Sequence, residues 1–199
     1  MGYSKLDLAS LIGSRICHDL ISPIGAINNG LELLSMAGGA EGPEIMLIRE
    51  SVDNANARIR YFRIAYGVSS PGQTVAIGEV MSIIKGVTHG GRIEINWHPT
   101  GELLRTDVQA AFLAIQCLET ALPYGGSVDV TCTDGRWTLS ATGKTIKAGP
   151  KLWTGLSDTN THGTVMPSQI QFVLLPQVLA SMNKSLNVRT DDTAAVLTF

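Results

Sequence analysis

The segment Arg15-Ile16-Cys17-His18-Asp19-Leu20-Ile21-Ser22-Pro23 sets an imidazole, a carboxylate and a hydroxyl close together along the chain. A neutral imidazole is a competent nucleophile. Asp19 can hydrogen-bond one ring nitrogen of His18, which fixes the tautomer and leaves the other nitrogen free to attack. Ser22, one helical turn on, can hydrogen-bond a group carried on the ring or an attacking water. Pro23 removes an amide donor and crowds the carbonyl of Asp19, so a bend beside the site is expected. The chemistry indicated is nucleophilic group transfer on His18. An isolated exposed histidine is most often only a solvated surface residue, so its surroundings must distinguish the two.

Residues 4–36 read as one long helix, with Ile16, Leu20, Ile24, Ile27, Leu31 and Leu34 recurring at spacings of three and four. On a helical wheel these six lie within about 60° of the direction opposite His18, whereas Leu11, Ser22, Gly25 and Asn29 lie within about 40° of it. His18 is therefore expected to project into solvent, on a strip that also offers Leu11, Ser14, Arg15, Gly25 and Asn29 to a partner. Cys17 reads as inert filler next to the buried side. The run GGAEGP at 38–43 breaks the helix, and Pro43 suits the first turn of a second one. That helix carries Ile45, Ile48, Val52, Ala55, Ile59, Phe62 and Tyr66, a coiled-coil alternation. The short turn makes the two helices antiparallel neighbours, each on the order of 35–50 Å long. Two such helices cannot cover both apolar stripes, and pairing with a second copy would close a four-helix bundle. A homodimer is the expectation.

After the SSPGQ linker at 69–73, strand-length and helical segments alternate. Gln73–Ile77 is a short strand, Gly78 opens a helix to about Lys85, Arg92–His98 is β-rich and Thr106–Leu122 is an amphipathic helix. Ser127–Thr133 and Arg136–Thr142 flank Asp134-Gly135, a strong hairpin signal. A helix near Ser168–Met182 contains Pro176, and Ser185–Thr190 with Ala194–Phe199 makes a closing hairpin. The order argues an α/β layer with helices on one face. The whole is α+β, with a helical hairpin at 1–70 and an α/β domain at 74–199.

The chain has 199 residues, 44% of them hydrophobic and only 16% charged, which argues against disorder. Fifteen basic and seventeen acidic residues leave a net charge of −2, so neither nucleic acid nor an anionic membrane is the expected partner. Cys17, Cys117 and Cys132 are widely spaced and odd in number, which fits a reducing cytoplasm. The start MGYSKLDLAS lacks the apolar core of a signal peptide, and no stretch approaches the roughly 18–20 apolar residues of a membrane span. A soluble, cytoplasmic protein is expected.

Residues 15–34, RICHDLISPIGAINNGLELL, resemble the phosphoacceptor helix of sensor histidine kinases, whose motif is His-Glu/Asp-x-x-Thr/Asn/Ser-Pro. They are most similar to ChpT-type histidine phosphotransferases of alphaproteobacterial phosphorelays, and the resemblance covers the whole chain. It implies a phosphotransfer hairpin followed by an α/β sandwich like the histidine-kinase ATP-binding (GHKL, or Bergerat) fold. It implies that His18 is the phosphoacceptor, that Asp19 is its acid/base and orienting neighbour, and that Ser22 fills the next polar position of the motif. The chain would then be a phosphoprotein shuttling phosphoryl groups between response-regulator receiver domains and the receiver of a hybrid histidine kinase.

Against the kinase pattern, the nucleotide boxes depart. Where kinases show Asn-x-x-x-Asn-Ala-x-Lys, this chain has Gln116-Cys117-Leu118-Glu119-Thr120-Ala121-Leu122-Pro123. Thr120 stands for the metal-binding Asn and Pro123 for the Lys. The box normally Asp-x-Gly-x-Gly reads Ala141-Thr142-Gly143-Lys144-Thr145, with Ala141 in place of the adenine-binding carboxylate. Near the expected glycine-rich loop there is a lone Gly163. These losses argue for a retired nucleotide site kept as a docking surface. No cofactor is expected on this chain, and Mg²⁺ is expected from the receiver. Gly143-Lys144-Thr145 fails as a P-loop because position 138 is Thr138 and Ile146–Pro150 is a poor helix start. His89, His98 and His162 lack metal-ligand spacing and read as surface residues, and Trp97, Trp137 and Trp153 as packing. A divergent autokinase and a pseudokinase scaffold that only docks receivers remain the alternatives.

Overall fold

The computed structural model describes residues 5–37, 42–70, 72–157 and 165–199. Ser4, most of the 38–43 break, Pro71 of the linker, His162 and Gly163 lie outside the described residues.

The first helix, α1, spans Lys5–Ala37 and runs on through Pro23; the second, α2, spans Pro43–Ala65. Pro43 and Glu44 occupy the first turn of α2, where a missing amide costs nothing and a carboxylate suits the helix dipole. Gly30 of α1 lies opposite Ile48 of α2, so close that a Cβ at residue 30 would sit 2.5 Å from Ile48 Cγ1. Farther back along α1, Asp19 shares a cavity wall with Arg58 and Tyr61 of α2. The pairs 30 with 48 and 19 with 58 make the hairpin antiparallel.

Beyond the hairpin come β1 (Thr74–Ala76), α3 (Ile77–Thr88), β2 (Ile93–Trp97), β3 (Glu102–Leu104) and α4 (Arg105–Ala121). They are followed by β4 (Gly126–Thr133), β5 (Arg136–Thr142), α5 (Pro150–Ser157), a 3₁₀ turn at Pro167–Gln169, α6 (Ile170–Ser181), β6 (Asn187–Thr190) and β7 (Ala194–Thr198). The main sheet has the order β2-β4-β5-β7-β6, with β2 and β4 parallel and the other pairs antiparallel. Asp134 and Gly135 both take positive φ, as the two-residue β4–β5 turn requires. Trp137, Leu139 and Ala141 alternate inward along β5, and Ala195 and Leu197 along β7, so one face of the sheet is buried beneath the helices. Two elements lie outside the expected pattern, β3, which pairs with β1, and α5. Pro176 does not break α6: Phe172, Val173, Leu175 and Leu179 are buried, and their packing offsets a helix penalty of about 3 kcal/mol.

The core crosses the linker. Tyr61, Phe62, Ile64 and Ala65 at the end of α2 belong to the same buried cluster as Phe112 of α4 and Trp137 of β5. Tyr61 stacks on Phe112 with ring centroids 4.3 Å apart and donates its hydroxyl to the Phe112 carbonyl at 2.6 Å. Tyr66 donates to Gln116 Oε1 at 2.8 Å. A smaller cluster of Val165, Ile170 and Val173 receives Leu8, Leu11 and Ile12 from the start of α1. Among the described residues no helix is long and apolar enough to cross a membrane.

Candidate functional site

His18 sits midway along α1 with its side chain 77% exposed. Its Nδ1 lies 3.0 Å from Asp19 Oδ1. An ionised carboxylate only accepts, so this contact selects the Nδ1–H tautomer and leaves the Nε2 lone pair facing solvent. The other carboxylate oxygen, Asp19 Oδ2, lies 2.9 Å from Arg15 Nε. Because the Nε–H is poorly aligned with it, this is an ion pair rather than a directed hydrogen bond. Arg15 also donates from Nη1 to the Ser168 carbonyl at 3.0 Å, which ties α1 to the 3₁₀ turn before α6.

The surrounding strip differs from the helical-wheel expectation. Ser14, Ser22 and Asn29 are exposed on the same helix as His18, and Gly25 is half-buried with open space where a side chain would stand. Leu11 is not a free apolar contact: it is half-buried against Val165, Ile170 and Val173. Arg15 is mostly covered as well. The wheel placed both facing outward, and the α/β half packs over that side of α1. Cys17, expected beside the buried side, is exposed. Ile21, Ile24 and Leu31 are also exposed in the single chain, with Val52 and Ile59 on α2. The apolar stripe of the hairpin is thus only partly covered by the chain itself.

Behind Asp19 lies an open cavity of about 340 Å³ between the hairpin and the α/β half. Arg15 and Asp19 of α1, Arg58 and Tyr61 of α2, Arg92 before β2, and Gln116, Glu119 and Thr120 of α4 line it. Burial pushes the Glu119 carboxyl up to about 7, against the opposing pull of Arg15, Arg58 and Arg92. Sequence reasoning did not single out Glu119. The i,i+4 spacing of Arg15 and Asp19 was a signal for their pairing. Nothing local could announce the Ser168 carbonyl, 153 residues away.

The residues compared above with the kinase boxes are engaged internally. The Thr120 hydroxyl donates to the Cys117 carbonyl of its own helix at 2.6 Å, Gln116 accepts from Tyr66, and Ala141 is fully buried in the sheet.

Residues 77–194 match the histidine phosphotransferase C-terminal domain family. The chain is 34% identical over 197 residues to the protein phosphotransferase ChpT of Brucella abortus (strain 2308), covering 95% of this chain and 94% of that one. It is also similar to a solved bacterial phosphotransferase, with a TM-score of 0.80 and 28% identity over 100% of this chain and 98% of the other. A histidine kinase domain from the Erythrobacter litoralis EL346 blue-light-activated kinase aligns over 93% of each chain at 16% identity and a TM-score of 0.43. With the α/β half matched as a domain and the hairpin and sandwich aligned together along a relative of nearly equal length, the chain belongs to the histidine phosphotransferase family.

Proposed function

We propose that this chain relays phosphoryl groups between receiver-domain aspartates through His18 Nε2. The observation that carries the reading is an exposed imidazole whose Nδ1 is held 3.0 Å from a carboxylate. In the forward step the Nε2 lone pair forms an N–P bond as the O–P bond of the aspartyl phosphate breaks, and the receiver aspartate leaves as a carboxylate. The ring keeps its Nδ1 proton and becomes cationic, and Asp19 faces that charge. The reverse step runs through the same contacts. Transfer rests on positioning and on neutralising phosphoryl charge, and the Mg²⁺ that contributes to the latter comes with the receiver. In this reading Ser22, exposed on the next turn, hydrogen-bonds the carried group, and Ser14, Gly25 and Asn29 let a partner approach α1 closely.

The chain acts as a cytoplasmic homodimer in this reading. Ile24 is 49% and Ile59 is 50% exposed, and a second hairpin covering both would complete a four-helix bundle. The α/β half serves as part of the docking surface and uses no ATP. The test incubates the wild-type protein and His18→Ala with a radiolabelled phospho-receiver and a second, unlabelled receiver. Acid-labile, alkali-stable label should appear on the wild-type chain, and replacing His18 should abolish both label and relay while leaving the fold intact. Relay persisting in His18→Ala refutes the reading, and label from Mg-ATP alone points to an autokinase instead.

A further inference from the structure

The two oxygens of Asp19 are engaged on different sides. Oδ1 faces His18 Nδ1 at 3.0 Å, and Oδ2 faces Arg15 Nε at 2.9 Å. The ring stands in solvent, yet what orients it is covered: the Arg15 and Asp19 side chains are 16% and 10% exposed. Arg15 is held in turn by the Ser168 carbonyl. That carbonyl lies in the 3₁₀ turn and also accepts from Nε2 of the fully buried Gln171 at 3.0 Å. Gln169 Oε1 steadies the same turn by accepting from the Met166 amide at 3.1 Å. A continuous series of polar contacts thus runs from α6 through Arg15 and Asp19 to the His18 ring.

We propose that Arg15 is a positioning residue for phosphotransfer, pinning the Asp19 carboxylate against the α/β half so that His18 keeps its Nδ1–H tautomer. The inference rests on the reading of His18 as the phosphoacceptor. A carboxylate free at one oxygen can rotate about its terminal torsion, which has a broad energy profile. Pinned at Oδ2, it keeps Oδ1 aimed at the ring. Without the pin, the Nε2–H tautomer gains population, and its solvent-facing nitrogen has no lone pair with which to attack. Lysine cannot substitute, because a single ammonium lacks the planar fork that reaches a carboxylate and a carbonyl together. With so little of its side chain exposed, Arg15 has little surface left to offer a receiver directly.

The test uses the full chain with Arg15→Gln and Arg15→Lys. The ¹⁵N chemical shifts of His18 report the tautomer, and transfer from a phosphorylated receiver reports the maximal rate and the half-saturating receiver concentration separately. Both variants should show a larger Nε2–H fraction and a maximal rate lower by roughly tenfold, with half-saturation unchanged. In an Asp19→Asn background, Arg15→Gln should cost nothing further, the non-additivity expected of residues acting as one unit. An unchanged tautomer overturns the proposal, as does a loss confined to half-saturation or a full additive loss in the double variant. If Arg15→Gln fails to fold, Arg15→Lys keeps the charge and apolar stem and carries the same tautomer criterion. If wild-type His18 accepts no phosphoryl group, the phosphotransfer reading fails, whereas the tautomer shifts still decide whether Arg15 orients the ring.

Discussion

Glu119 makes the stability of this protein depend on pH in an unusual direction. Its side chain is partly buried at the cavity between the hairpin and the α/β half, faced by Arg15 and Asp19 from α1, Arg58 from α2, and Arg92. Burial raises the carboxyl from its ordinary 4.5 to about 7 in the folded state. An acid raised on folding binds more protons folded than unfolded across that window, so stability falls as pH rises from about 4.5 to about 7 and then levels off. The full cost of ionising it in place is at most about 3 kcal/mol, an upper bound because water in the cavity screens a partly buried charge. Replacing Glu119 with Gln keeps the shape and removes the titration. Urea unfolding should show the two proteins converging near pH 4.5, and the variant should be more stable by up to that amount near pH 8, about 2–4 °C in Tm per kcal/mol. Parallel pH profiles for the two proteins, or a variant less stable than wild type near pH 8, would refute the reasoning.

If the proposed homodimer forms through the hairpin, Ile59→Glu should leave a monomer in light scattering while helical circular dichroism persists, because the side chain is half exposed in the single chain and a charge is costly only in a closed bundle. A dimer surviving that change would place the interface elsewhere. Tyr61→Phe removes the buried hydroxyl's bond to the Phe112 carbonyl and should lower unfolding stability by about 1–2 kcal/mol without altering the transfer rate. A larger loss of transfer than of stability would implicate Tyr61 in the chemistry.

Period and turn chemistry made much of this fold legible in advance. The apolar spacing of α1 and α2, Pro43 at the head of α2, and Asp134-Gly135 between β4 and β5 each act through neighbours a few residues away. The three-residue strand β3 carries too short a pattern to be read, and its existence depends on β1 as a partner. Helix α5 follows Gly149, and only the buried Trp153 and Leu156 hint at its docked face. At the site, the exposure of His18 could be derived from a wheel and its pairing with Asp19 from their adjacency, but not the burial of the Asp19 carboxylate. The wheel failed for Leu11 and Arg15 because it assumes a helix with one buried face. Here α1 is covered on a second side by Val165, Ser168, Ile170 and Val173, residues no periodicity in α1 can announce.

The aromatic end of α2 has a consequence for modularity. Tyr61, Phe62, Ile64 and Ala65 are part of the interior that Phe112 and Trp137 complete, so the helical hairpin is not a cassette that can be cut at the linker and grafted elsewhere. Excision there would strip both pieces: the hairpin would present a raw aromatic face, and the sandwich would lose one wall. Melting should therefore be a single event for the whole chain, and amides near Ile64 should exchange with solvent as slowly as those under the sheet.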